Sequence, residues 1–237
     1  MNYMGSKNRI AKHILPIMLK NRKQDQCWVE PFVGGGNMID KVTGNRLGAD
    51  VCQNTIDALI TIRDYHHTIP KNNTEFSEKD YRSYRNNTMP LRGYIGYALS
   101  YGSKWFGGWA RTDATGKIQR DYVAEAYRNA TKQSPKLQGC RLECMSYNDL
   151  CLPPNSIIYC DPPYAGTTGY KRPFDHTAFW QWCRDKATEG HTMYVSEYKA
   201  PPDFLCLWAG QIKSSLTKDT GSKTRTEKLF TKKDKEL

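Results

Sequence analysis

Residues 156–160 (SIIYC) form a short apolar run that stops abruptly at Asp161 and two prolines. A run this short, with no polar alternation, reads as a strand buried on both faces. Such strands belong to parallel sheets covered by helices on either side. Pro162 and Pro163 carry no N–H for a sheet ladder, so the strand has to end there. The pattern recurs at 27–30 (CWVE), which runs into Pro31, Phe32, Val33 and the cluster Gly34-Gly35-Gly36, as a buried strand feeding a tight turn. Residues 45–50 read as a second strand ending on Asp50, 141–144 and 191–198 as further strands, and 204–215 as one or two more. Helical spacing separates them. A basic amphipathic helix is expected over 6–23, a short helical start at 37–43, and helices over 51–65 and 176–190, the last closed by Gly190. The last 23 residues are rich in Lys, Thr and Asp and show one apolar spot, Leu229-Phe230. Alternation of this kind predicts an α/β fold with a mostly parallel, doubly wound sheet.

The segment 66–140 breaks the alternation. It is polar, aromatic and rich in turns, and reads as an inserted, mostly helical and loop domain between catalytic-domain segments 1–65 and 141–237. Charge concentrates there. The chain of 237 residues carries 35 Lys+Arg against 24 Asp+Glu, a formal net charge of +11. Residues 58–140 hold 13 Lys+Arg and 7 Asp+Glu, more than half of that excess. A charge this large points to a polyanionic partner, most simply nucleic acid. No apolar run approaches the roughly 20 residues of a membrane helix, and the start MNYMGSKNRIAK lacks the apolar stretch of an export signal. The eight cysteines form no CxxC pair and mostly sit in apolar stretches, as reduced thiols in a cytoplasm would. Their spacing offers no zinc site, and adjacent His66 and His67 point different ways, so no metal is expected.

A parallel sheet brings the ends of three strands to one edge, where ligands bind in such folds. Gly34, Gly35 and Gly36 let backbone approach a ligand closely or form a structural turn. Asp50 is placed either to bind ribose hydroxyls or to cap the following helix. Asp161 is the sharpest signal. Its carboxylate and the Pro162 carbonyl make a fixed pair of acceptors, suited to an amino group with two N–H donors, and Tyr164 offers a flat face to a planar ring.

At this point the chain resembles the D12-type, Dam-like adenine-specific DNA methyltransferases. Tyr3-Met4-Gly5-Ser6-Lys7 resembles the family's N-terminal cofactor motif, 30–36 its strand and glycine turn, Asp50 the acid after the second strand, and Asp161-Pro162-Pro163-Tyr164 the catalytic tetrapeptide. Glu227-Lys228-Leu229-Phe230 is similar to the family's C-terminal ending. The resemblance implies a Rossmann-like methyltransferase sheet, S-adenosyl-L-methionine as methyl donor and adenine in double-stranded DNA as acceptor. It implies that Tyr3, Lys7, Glu30, Pro31, Phe32, Gly34, Gly36, Asp50, Tyr147 and Asp161 bind or border the cofactor, and that 161–164 carry catalysis. Glu30 and Ser146 stand where many members have Asp, so the ring contact at Ser146 is open, while Tyr147 could stack there.

The segment 66–140 is the candidate for target recognition, with Lys104, Trp105, Arg111, Lys117 and Arg120 as DNA-binding residues. Basic side chains neutralise phosphates, and an aromatic can wedge into a base stack; Trp105 and Phe106 could equally form the segment's own core. Because adenine N6 is out of reach inside a duplex, the base has to be flipped out. Cytosine N4, RNA or protein acceptors, and a binding module without catalysis are the competing readings. A monomer is expected, since each strand offers its own target.

Overall fold

The computed structural model describes residues 1–111, 120–164, 174–213 and 224–233. Seven strands form one sheet: β1 (Trp28–Glu30), β2 (Arg46–Asp50), β3 (Arg141–Cys144), β4 (Ile157–Cys160), β5 (Thr192–Glu197), β6 (Phe204–Lys213) and β7 (Thr224–Lys232). Their order is β3-β2-β1-β4-β5-β7-β6. The first five run parallel, and β7 is antiparallel to both of its neighbours. The chain leaves β1 to one side and returns at β4 on the other, so strand order reverses between them. That is the switch point where doubly wound sheets bind ligands.

Among the described residues six α-helices accompany the sheet: α1 (Ala11–Leu19), α2 (Gln53–Tyr65), α3 (Glu78–Ser83), α4 (Leu91–Ala98), α5 (Tyr122–Leu137) and α6 (His176–Thr188). Alternation along each central strand sends side chains to opposite faces. Trp28, Ile157 and Tyr159 join one buried cluster with Ile14, Leu59, Ile62, Tyr94, Val123 and Ala130, drawn from α1, α2, α4 and α5. Val29, Ile158 and Cys160 join the other, with Phe179, Trp182 and Cys183 of α6 and with Tyr147. Both faces are therefore covered, which is why these strands read as unbroken apolar runs.

Residues of 66–140 contribute directly to the first cluster. Helix α4 lies so close to α2 that a Cβ on Gly93 would come within 2.4 Å of the Asn54 carbonyl oxygen. Gln133 on α5 donates to the carbonyls of Gly35 and Gly36 at 3.0 and 3.2 Å.

Three elements differ from the sequence expectation. The helix expected over 6–23 is split: a 3₁₀ turn, Lys7–Arg9, capped by the Ser6 side chain, precedes α1. The break turns Lys7 inward, where it is 8% exposed, instead of leaving it on a basic solvent face. The short helix expected at 37–43 is a single 3₁₀ turn, Ile39–Lys41. The polar C-terminal stretch contains β7, whose Leu229 and Phe230 reach the two opposite cores.

Glu30, at the end of β1, is 2% exposed and accepts a 2.7 Å hydrogen bond from the Trp28 indole Nε1. Burial raises its carboxyl pKa well above the ordinary carboxylate range, against the pull of that bond. The folded protein therefore holds this proton at pH values where the unfolded chain has released it, and folding stability falls as pH rises across that window. Glu30→Gln keeps an acceptor for Trp28 and cannot ionise. Its stability relative to the parent chain should rise with pH from about 4.3 upward in denaturant titrations; a pH-independent difference would contradict a buried, protonated Glu30.

Candidate functional site

The C-terminal ends of β1, β2 and β4 meet at one edge. After β1 the chain turns through Gly34 (φ +48°) and Gly36 (φ +67°), a conformation open to glycine. Tyr3 packs against this turn so closely that a Cβ on Gly34 would lie 2.9 Å from its ring. Tyr3 is backed in turn by Tyr97, with ring centroids 5.2 Å apart.

Asp50 closes the second strand. Its Oδ2 accepts from the Gly34 N–H at 3.3 Å and its Oδ1 from the Cys52 N–H at 2.9 Å. The N-cap of α2 is Cys52, not Asp50, so the capping alternative falls away. An ionised carboxylate offers about four acceptor positions, so two backbone N–H bonds leave Asp50 capacity for further donors. Burial raises its pKa, opposed by those two bonds. Beside it, Phe32 and Tyr147 pack at 5.4 Å between centroids and continue into Phe174, Phe179 and Trp182, an aromatic wall on the α6 side of the edge.

Asp161 leaves β4 into Pro162, Pro163 and Tyr164. Lys7 Nζ lies 3.0 Å from Asp161 Oδ1, 3.8 Å from Glu227 Oε2 and 4.6 Å from the Tyr164 ring centroid. The Tyr164 hydroxyl donates to Glu227 Oε2 at 2.6 Å, and the Tyr164 and Tyr198 rings meet edge to face with centroids 4.6 Å apart. Two carboxylates thus share one ammonium in a partly enclosed pocket. Burial pushes the Asp161 pKa up, and Lys7 pulls against it. Burial alone would drive the Lys7 pKa down, but Asp161 and Glu227 together hold it above its ordinary value. Lys7 is therefore a charged ammonium at neutral pH.

The structure brings together Tyr3, Lys7, the residues of the glycine turn, Asp50, Phe32, Tyr147 and 161–164 along one edge. Glu30 points instead into the core against Trp28. The candidate DNA-binding residues of 66–140 make no contact with Asp161 or Asp50 among those described. Lys104 is exposed and makes no ion pair among the described residues. Trp105 is half-buried against Tyr97 at 4.8 Å, with the Arg92 guanidinium 4.9 Å above it, and Phe106 is buried. Arg111 pairs with Glu78 at 2.6 Å and Arg120 with Glu125. Lys117 falls outside the described residues.

Glu227 and Tyr198 had no role assigned from sequence. Glu227 entered the sequence reading only through the likeness of 227–230 to the family's C-terminal ending, which attached no role to it; the pairing of β7 with β5 brings it beside Lys7. Among the described residues no cluster of His, Cys, Asp and Glu could hold a metal, and no helix is long and apolar enough to cross a membrane.

Comparison with known proteins follows the same geometry. Residues 3–201 match the D12 class N6 adenine-specific DNA methyltransferase family. The Type II methyltransferase M.FokI of Planomicrobium okeanokoites is 25% identical over 193 residues, covering 71% of this chain and 29% of that protein. This chain therefore spans under a third of that relative's length. The crystal structure of SMU.472 complexed with SAH aligns over 98% of this chain and 53% of its own, at 12% identity and a TM-score of 0.36. With its match spanning most of its length, from the Tyr3 motif through the turn at 161–164 and beyond, the chain belongs to the D12 class N6 adenine-specific DNA methyltransferase family.

Proposed function

We propose that this chain transfers a methyl group from S-adenosyl-L-methionine to the exocyclic N6 of an adenine flipped out of double-stranded DNA. The observation that carries the reading is the partly buried Asp161 carboxylate at the end of β4, held by Lys7 and followed by two prolines and Tyr164. The residues at the edge fit the cofactor chemically. Asp50 has acceptor capacity for a ribose diol, the glycine turn allows close backbone approach, and Phe32 with Tyr147 offers an aromatic wall for a planar ring. When bound, the cofactor supplies an electrophilic methyl on a sulfonium.

The nitrogen of an aromatic amine is a poor nucleophile because its lone pair is delocalised into the ring. Asp161 and the Pro162 carbonyl accept the two N6 hydrogens, which favours a tetrahedral nitrogen and frees its lone pair. Positioning is the main contribution, and fixed acceptors stabilise the positive charge that develops on nitrogen. One N6 hydrogen leaves as a proton once the new bond forms, and the Asp161 carboxylate is the base beside it. Tyr164 gives the flipped base a stacking face in exchange for the few kcal/mol lost on leaving the helix. No covalent enzyme intermediate is needed, so none of the cysteines takes part.

We infer that 66–140 reads the target and that the chain acts as a monomer. The exposed Lys104 suits a phosphate contact. Arg111 reaches a phosphate only by giving up Glu78.

Two predictions follow from this reading. Asp161→Asn should lower methyl transfer by about 10²–10⁴-fold while cofactor binding persists, measured with labelled donor and nucleoside mass spectrometry. Because Asp161 works ionised and its pKa is raised, parent activity should fall as pH drops through a midpoint above that of an ordinary aspartate. Retained turnover in the variant would remove Asp161 from the mechanism, and label on cytosine N4 would change the substrate. On DNA binding, Lys104→Ala should reduce the slope of log affinity against log salt by about one, and Arg111→Ala by less, because its release costs the Glu78 pair. Equal slopes in Lys104→Ala and the parent chain would rule out a phosphate contact at Lys104.

A further inference from the structure

We propose that Glu227, on β7, is a positioning residue for the turn at 161–164: it holds Tyr164 by its hydroxyl and shares Lys7 with Asp161. This rests on the methyltransferase reading above. The geometry is direct. Glu227 Oε2 accepts the Tyr164 hydroxyl at 2.6 Å and stands 3.8 Å from Lys7 Nζ, while the same ammonium is 3.0 Å from Asp161 Oδ1. Glu227 is 9% exposed. One side chain thus touches both groups that flank the reacting carboxylate.

The chemistry explains why a second carboxylate is useful there. A lone ammonium at 3.0 Å would neutralise Asp161 and draw electron density from the oxygens that must accept N6 hydrogens. A second anion divides the ammonium's hold and leaves Asp161 the stronger acceptor. It also fixes the orientation of the Tyr164 ring, because an aryl hydroxyl anchored to a carboxylate cannot swing without losing a charge-assisted hydrogen bond. Besides Lys7 and Glu227, the charge of Asp161 is felt by Glu30, turned into the core at the end of β1, by Tyr159 on β4 and by Tyr164 on its own turn, while Tyr198 after β5 borders Lys7. Glu227 both accepts the Tyr164 hydroxyl and lies within ion-pair distance of Lys7.

The test uses the whole chain. Glu227→Gln keeps an acceptor for Tyr164 and removes only the charge. In the absence of cofactor and DNA, the Asp161 side-chain carbon signal, assigned with Asp161→Asn, should titrate about one pH unit lower in Glu227→Gln than in the parent chain. With cofactor and DNA, kcat should fall about tenfold, with little change in cofactor affinity. Tyr164→Phe keeps the ring and removes the hydroxyl. It should lower kcat similarly, and the double variant should lose less than the product of the single losses, since both act on one hydrogen bond, the first by removing its charge and the second by removing its hydroxyl. An unmoved titration midpoint, or losses that simply multiply, would overturn the proposal. If Glu227→Gln fails to fold, Tyr164→Phe decides: unchanged kcat overturns the clamp, and a reduced kcat with intact cofactor binding upholds it. A parent chain that methylates no DNA would defeat the functional reading instead, while the titration would still report whether Glu227 shares Lys7 with Asp161.

Discussion

The site depends on a single ion pair. Asp161 lies at the end of the central strand, where burial disfavours its charge, and the Lys7 ammonium opposes that cost from 3.0 Å away. A buried carboxylate stays useful as an acceptor only if something holds it ionised. Lys7 does so because the N-terminal segment does not continue as one helix. Ser6 caps a 3₁₀ turn, Ile10 separates it from α1, and the lysine is delivered inward. Had residues 6–23 formed one uninterrupted amphipathic helix, Lys7 would have joined the solvated basic face and left Asp161 without its partner.

The N-terminal segment needs its own support, and it comes from distant parts of the chain. Tyr3 packs on the glycine turn, Asn37 donates to the Met1 carbonyl at 2.9 Å, and Gln133 of α5 donates to Gly35 and Gly36. The segment 66–140 therefore shares packing with the sheet and braces the glycine turn, whatever else it does. The strand–turn–helix unit after β1 is held from the front by Tyr3 and from behind by α5.

Most of the fold was legible because its central strands are buried on both faces. Apolar runs at 27–30 and 156–160 needed no partner to be recognised, and their abrupt ends at glycine and proline marked the edge where the site forms. Asp50 and Asp161 were visible for the same reason, as charges at positions where an apolar run stops. What escaped was set by pairing between elements far apart in sequence. β7 lies between β5 and β6, yet its residues are mostly Lys and Thr, because strand pairing through backbone hydrogen bonds leaves little mark on composition. Glu227 was visible only as part of a motif likeness, and its place beside Lys7 depended on the pairing of β7. The split at Ile10 was hidden too: the apolar spacing of Ile10, Ile14 and Met18 continues across it.

The net charge of +11 needs the same correction by geometry. Charge counting treats every arginine of 66–140 as available to a polyanion, but Glu78 takes both Arg82 and Arg111, and Glu125 takes Arg120. Arg92 is spent on the Asn54 side chain and on the face of Trp105. These are surface or half-buried contacts worth little in stability, so they cost little to break when a phosphate arrives. Their effect is on selectivity of attraction: paired arginines contribute weakly to long-range pull and strongly only at contact range, whereas a cation with no carboxylate partner among the described residues, such as Lys104, acts at both distances. Under the DNA-methylating role proposed above, such a surface would leave tight binding to a duplex whose phosphates meet the arginines at the right spacing.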